Sequence, residues 1–245
     1  MIKQFELCIV IPCYNEGVRL NIERISDFLN INTNILLYFV NDGSNDNTFE
    51  VLNSIKSNFP KNCEVISTPN NVGKAEAVRF GFKKCSDNFK YKKIAYLDAD
   101  LATSLEECLD ISKLVEGKTV FAFGSRIMKL DSNIKRKKYR FLIGRVIATF
   151  ISKQLKLDVY DTQCGCKIFS SELSKKIFTE KFISKWLFDV ELFHRIIKLY
   201  GHSKIPKICK EVPLKEWIDF DDSKVKMTYF FKLWLDLYQI KKNYT

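Results

Sequence analysis

Short apolar runs alternate with amphipathic stretches through the first half of the chain. Residues 7–11 (LCIVI), 35–40 (ILLYFV) and 92–97 (KKIAYL) have strand length and carry β-branched or aromatic residues on both alternating sets, the pattern of strands buried on two faces. Residues 64–67 are a weaker run of the same kind, and 119–123 a fifth strand. Between them, residues 18–29, 48–57, 75–85 and 105–115 place apolar positions at helical spacing, with Asp46 positioned to cap the second. Strands alternating with helices of this length predict βαβ units, hence an α/β fold with a mostly parallel sheet flanked by helices. Later, Ile143, Ile147, Phe150 and Ile151 recur at helical spacing, residues 186–199 read as a helix and 205–212 as a strand. Residues 224–242 form a last amphipathic helix with Met227, Phe230, Phe231, Trp234 and Tyr238 on one face. The expected organisation is one domain over residues 1–224, with an amphipathic insertion at about 133–157, and a basic helix over 225–245.

Charge adds a direction to this plan. The 245 residues hold 40 basic and 29 acidic side chains, a net charge of +11, which favours an anionic partner. RNA-recognition, KH and helix-turn-helix signatures are missing and the aromatics are not interleaved with the positive run, so nucleic acid is not the expected partner. The basic residues concentrate at 129–145 and in the final helix, where Trp and Tyr beside Lys suit the interfacial zone of a bilayer. No eighteen-residue apolar stretch exists, and residues 1–6 are too polar for a leader, so contact with a membrane would be peripheral. Eight scattered cysteines form no short disulfide framework and read as reduced thiols in a cytoplasmic protein.

The candidate chemistry gathers where strands end, the edge at which open parallel sheets bind ligands. Tyr14, Asn15 and Glu16 follow the first strand, Asp42 the second, Asp98 and Asp100 the fourth, and Ser125 and Arg126 the fifth. Asp98 and Asp100 are two like charges at i and i+2, on one side of a strand end; a divalent cation removes their repulsion, and Mg²⁺ or Mn²⁺ would share such a site with substrate phosphates. The same segment also suits a polar strand-to-helix turn with Ser104 as N-cap before Glu106 and Glu107. Neither GxGxxG nor GxxxxGK[ST] is present, which removes support from dinucleotide and P-loop readings.

Taken together, IPCYNEG, VNDGSNDNT, NNVGKAEAVRFG, YLDADLAT, FGSR, DTQCGCKIF and WLFDVEL resemble the inverting family-2 glycosyltransferases of the GT-A fold, and among them the dolichyl- or polyprenyl-phosphate glucosyltransferases. Cys166 departs from the pattern, which usually has an aromatic residue there, as does the lack of a leading membrane helix. The resemblance implies that Pro12, Tyr14, Asn15 and Glu16 line a nucleotide pocket, that Asp42 bonds the base or ribose, and that Gly73 and Lys74 border the nucleotide. It places Asp98 and Ala99 on the ribose and sugar side, and Asp100 with Asp98 on a metal–diphosphate. Arg126 and Arg140 would hold the acceptor phosphate, Asp161 would lie near the reacting centre, and Ser223 with Lys224 would close over the diphosphate. The expected donor is UDP-glucose, with GDP-mannose second, and the acceptor a polyprenyl or dolichyl phosphate. Such an acceptor is mostly dianionic at neutral pH and needs cations more than a base, so Asp161 is expected to position groups. Glycan extension, with Asp161 or Asp189 as base, is the alternative the sequence leaves open.

Overall fold

The structure, a computed structural model, describes residues 4–135, 138–218 and 229–244. The apolar runs become β1 (Gln4–Cys13), β2 (Ile35–Asn41), β3 (Cys63–Ser67), β4 (Lys90–Leu97) and β5 (Phe121–Ser125). The intervening helices are α1 (Ile22–Ile31), α2 (Thr48–Asn58), α3 (Lys74–Asn88) and α4 (Leu105–Ser112). Helix α1 starts four residues later than periodicity predicts, because Asn21 caps it by accepting from Arg24 N–H and Val18 stays in solvent. The second half adds β6 (Asn133–Lys135), α5 (Lys138–Leu155), β7 (Cys166–Ser170), α6 (Ser171–Ile177) and α7 (Phe188–Tyr200). It closes with α8 (Ile205–Ile208), β8 (Cys209–Pro213), β9 (Glu216–Ile218) and α9 (Tyr229–Tyr244). The single strand expected over 205–212 is therefore split: Pro206 sits in the first turn of α8, where its missing N–H is harmless, and the strand begins only at Cys209.

Seven strands form one sheet in the order β3-β2-β1-β4-β7-β5-β8. β7 runs antiparallel to both neighbours, β4 and β5, while the other pairings are parallel. A second, two-stranded parallel pair joins β6 to β9. Alternation along β1 sends Cys8 and Val10 to one face and Leu7, Ile9 and Ile11 to the other. The first face is covered by α3, α7, α5 and α9, contributing Val78, Phe193, Ile151 and Leu237. The second is covered by α1, α2 and α4, contributing Ile25, Leu52 and Ile111. Burial on both faces is why these strands are almost uniformly apolar.

Helix α9 packs as part of this core through Leu233, Leu237 and Ile240, with its aromatic side outward: Trp234 and Tyr238 are exposed. Helix α5 buries Ile151 and Leu155 and leaves Tyr139, Leu142, Val146 and Phe150 exposed at helical spacing. Phe150 meets Trp234 edge-to-face at 4.8 Å, so the two exposed stripes are one apolar ridge. Among the described residues no helix is long and apolar enough to cross a membrane.

Candidate active site

The loops after β1 and β2 hold each other. Asn15, in a left-handed conformation with φ 51°, donates its N–H to Ser44 Oγ (3.0 Å) and accepts at Oδ1 from Asn45 N–H (2.9 Å). Glu16 N–H donates to Thr48 Oγ1 at 2.8 Å. Pro12 pairs in register with Val40 just before these loops begin. Buried Asp42 fixes the next turn: Oδ1 accepts from Thr68 Oγ1 (3.0 Å) and Val72 N–H (2.9 Å), and Oδ2 from Gly73 N–H (2.9 Å). Three of its four lone pairs are thus taken by the chain, a bracing role that the sequence did not announce. Gly43 is required beside it, since a Cβ there would lie 2.5 Å from the backbone of Asn70 and Asn71.

At the tip of β4, Lys74 Nζ lies 2.5 Å from Asp98 Oδ1 and 5.7 Å from the centre of the Tyr96 ring. Burial would lower the Lys74 pKa, but Asp98, Asp189 and Asp100 outweigh it and the ammonium is held charged. Asp100 accepts from Ala102 N–H (3.1 Å), and its carboxyl is pushed up, first by burial and then by the charge of Asp98. Ala99 between them is buried, and Leu101 takes a left-handed φ of 50° to turn the chain toward α4. Ser104 does cap that helix, accepting from Glu107 N–H, and the cap uses neither Asp98 nor Asp100. The raised Asp100 carboxyl beside a second carboxylate fits a divalent cation shared with phosphate oxygens. Among the described residues no cluster of three or more His, Cys, Asp or Glu would hold a metal by protein alone.

Arg126 and Asp161 form a buried two-pronged pair: Nε to Oδ2 at 2.7 Å and Nη2 to Oδ1 at 2.9 Å, with Arg126 N–H also donating to Oδ2 (3.1 Å). Burial alone would raise the Asp161 pKa; the guanidinium outweighs it and holds the carboxyl well below its usual range. Arg126 also lies 5.3 Å from the Trp217 ring on β9. Glu211 on β8 accepts from the N–H groups of Tyr160 (2.9 Å) and Asp161 (2.8 Å), anchoring the loop. Asp161 is thereby a structural partner of Arg126. Arg140 lies on α5, where its side chain is outside the described residues, as are Ser223 and Lys224 altogether.

Several residues that organise the site were not singled out from the sequence. Lys167 Nζ, fully buried, lies 2.8 Å from Asp189 Oδ1 and donates to Cys164 O (2.6 Å) and Tyr96 Oη (3.0 Å). Tyr96 also donates to Asp189, closing a triad that ties β4, β7 and α7 together. Asp189, the alternative base in the sequence reading, has its charge matched by Lys167. The signal for this was a lysine inside the apolar run CKIF. Gly165 leaves the space that Asp98 fills: a Cβ there would fall 2.0 Å from Asp98 Oδ2.

A mostly parallel sheet with two carboxylates beyond its central strand is the arrangement expected of the GT-A glycosyltransferases. Solved structures agree on that fold. Glucosyl-3-phosphoglycerate synthase from Mycobacterium tuberculosis, crystallised with Mn²⁺, UDP-glucose and phosphoglyceric acid, superposes with a TM-score of 0.70 at 14% identity, covering 97% of this chain and 80% of that one. Mannosyl-3-phosphoglycerate synthase from Rubrobacter xylanophilus does so with 0.70 at 15% identity, over 98% and 73%. The model of the family named Glycosyl transferase family 2 matches residues 8–178, and the chain belongs to that family. Dolichyl-phosphate beta-glucosyltransferases are similar along most of its length. One from Trichomonas vaginalis is 29% identical, covering 94% of this chain and 69% of its own. That of Dictyostelium discoideum is 30% identical (91% and 70%), and that of Saccharomyces cerevisiae 29% (92% and 70%).

Proposed function

We propose that this protein transfers glucose from UDP-glucose to dolichyl or a related polyprenyl phosphate, inverting the anomeric carbon, with Mg²⁺ or Mn²⁺ at Asp98 and Asp100. The observation that carries the reading is the pair of carboxylates at the tip of β4 with Lys74 against one of them, in a chain similar over most of its length to dolichyl-phosphate beta-glucosyltransferases. Pro12, Tyr14, Asn15 and Glu16 line the nucleotide, the remaining lone pair of Asp42 serves the base or ribose, and Gly73, Lys74, Ala99 and Lys224 border the donor. When bound, the cation supplies charge stabilisation to the departing nucleoside diphosphate.

The acceptor phosphate arrives already ionised, its second pKa being about 6, so no residue has to remove a proton from it. Arg126 meets that dianion with Nη1, because Nε and Nη2 are held by Asp161; Arg140 is its partner in this role. Asp161 cannot serve as a base while its carboxylate is bound on both oxygens by a guanidinium. Attack from the face opposite the leaving group turns an α-linked donor into a β-linked lipid phosphate sugar.

The ridge formed by Tyr139, Leu142, Val146, Phe150, Trp234 and Tyr238 lies on helices that also carry lysines, and this suits peripheral binding to the cytoplasmic face of an anionic bilayer where such an acceptor resides. The test is to mix the protein, Mn²⁺ and a short dolichyl phosphate with UDP-glucose or GDP-mannose and record which nucleoside diphosphate is released. UDP release dependent on the lipid phosphate is the expected result. GDP release reassigns the donor, and transfer to free sugar hydroxyls alone removes the reading.

A further inference from the structure

Helix α7 carries two buried charges that bond neither the strand tips nor the Asp98–Asp100 pair. Glu191 accepts from the N–H groups of Ile183 (2.9 Å) and Ser184 (2.8 Å). Arg195 donates from Nη1 to the carbonyls of Ile177 (2.6 Å) and Glu180 (2.9 Å) and from Nη2 to that of Lys181 (2.7 Å). Ser184 Oγ donates to Asp236 Oδ2 on α9 (2.6 Å) and accepts from Leu187 N–H (3.0 Å). Burying a carboxylate and a guanidinium is costly, and here both are satisfied by backbone groups at the end of α6 and in the segment that follows it. What this network fixes is the position of the residue at its centre, Lys185.

Lys185 is exposed, and its stem crosses the turn before α3: a Cβ at Gly73 would lie 3.3 Å from Lys185 Cδ and 3.6 Å from Cγ. The next residue, Lys74, has its charge matched by Asp98. Among the described residues no carboxylate pairs with Lys185. A braced loop thus presents, at the rim of the donor site, an ammonium that no described carboxylate matches.

We propose that Lys185 binds a phosphoryl oxygen of the substrate pair, either the donor diphosphate or the acceptor monophosphate. The inference rests on the donor-site reading given above. Full-length wild type, K185Q and K185R would be titrated with UDP in the presence of Mn²⁺ and assayed with UDP-glucose and a short dolichyl phosphate. Loss of one charge-assisted contact predicts about a tenfold change for K185Q. A Kd for UDP raised by that factor assigns the donor diphosphate; an unchanged Kd with a KM for lipid phosphate raised by that factor assigns the acceptor. K185R retains most of the function in either case, and melting temperatures stay together because the side chain is in solvent. If K185Q shifts neither quantity by more than about twofold while wild type binds UDP, the role of Lys185 is overturned and the donor-site reading stands. If wild type binds no UDP, the donor-site reading falls and this inference with it.

Discussion

The Asp98 carboxylate occupies the space a side chain at Gly165 would need: a Cβ there would fall 2.0 Å from Oδ2 and 2.3 Å from Cγ. Gly165 O also accepts from Asp98 N–H at 3.0 Å. The DAD and DTQCG motifs, far apart in sequence, are thus two halves of one contact.

Gly165→Ala is therefore expected to displace Asp98 and the Lys74 paired with it. Turnover per KM for UDP-glucose should fall by about a hundredfold, the scale of an ångström-sized misplacement of a catalytic group. Stability should fall by only about 1–3 kcal/mol, the usual range for overpacking. Steady-state kinetics alongside thermal unfolding checks this; an active Gly165→Ala protein would show that Asp98 need not sit where it does.

Asp161→Asn tests the Arg126 pair through pH. The folded-state pKa of Asp161 is lowered from an ordinary value of 3.8, burial being outweighed by Arg126. A depressed carboxyl contributes stability that is present above the unfolded value and lost as pH falls through the folded one. The substitution should then destabilise the protein by about 3–5 kcal/mol at pH 7, the range for a broken buried pair, and by clearly less near pH 3. Chemical unfolding across that range measures it, and an equal loss at both pH values would contradict the assignment.

The strands were legible because a strand buried on both faces has to be an apolar run, as in β1, β2 and β4. The strand-end acids were legible because acids directly after apolar strand runs stand out, although the bracing use of Asp42 was not. The place of β7 was not: nothing local in CKIFS says that it enters the sheet antiparallel between β4 and β5. Buried charges were the other gap. Hydropathy puts Lys167, Glu191 and Arg195 outside, whereas their partners, Asp189, the 183–184 amides and the carbonyls of Ile177 and Lys181, are brought to them only by the tertiary fold. The Arg126–Asp161 pair spans 35 positions, and residue type alone made Arg126 look like a free cation.

The ridge across α5 and α9 makes a separate prediction. Replacing both Phe150 and Trp234 with Ser removes its central contact while leaving Ile151, Leu233 and Leu237 in the core. Each exposed aromatic that enters a bilayer contributes on the order of 1 kcal/mol or more, so partitioning to phosphatidylserine vesicles should drop by at least about tenfold, with little change in melting temperature. Equal co-sedimentation of the double variant and wild type would place the membrane contact elsewhere.

The central claim, a divalent cation shared between the Asp98–Asp100 pair and the donor diphosphate, is tested most directly by UDP titration with Mn²⁺ and with EDTA, on wild type and on Asp100→Asn. Mn²⁺ is expected to tighten UDP binding by about tenfold or more on wild type, as a metal bridging carboxylate and phosphate does, and by under about twofold on the variant. A wild-type affinity unchanged by EDTA, or a Mn²⁺ effect that survives in Asp100→Asn, would contradict it.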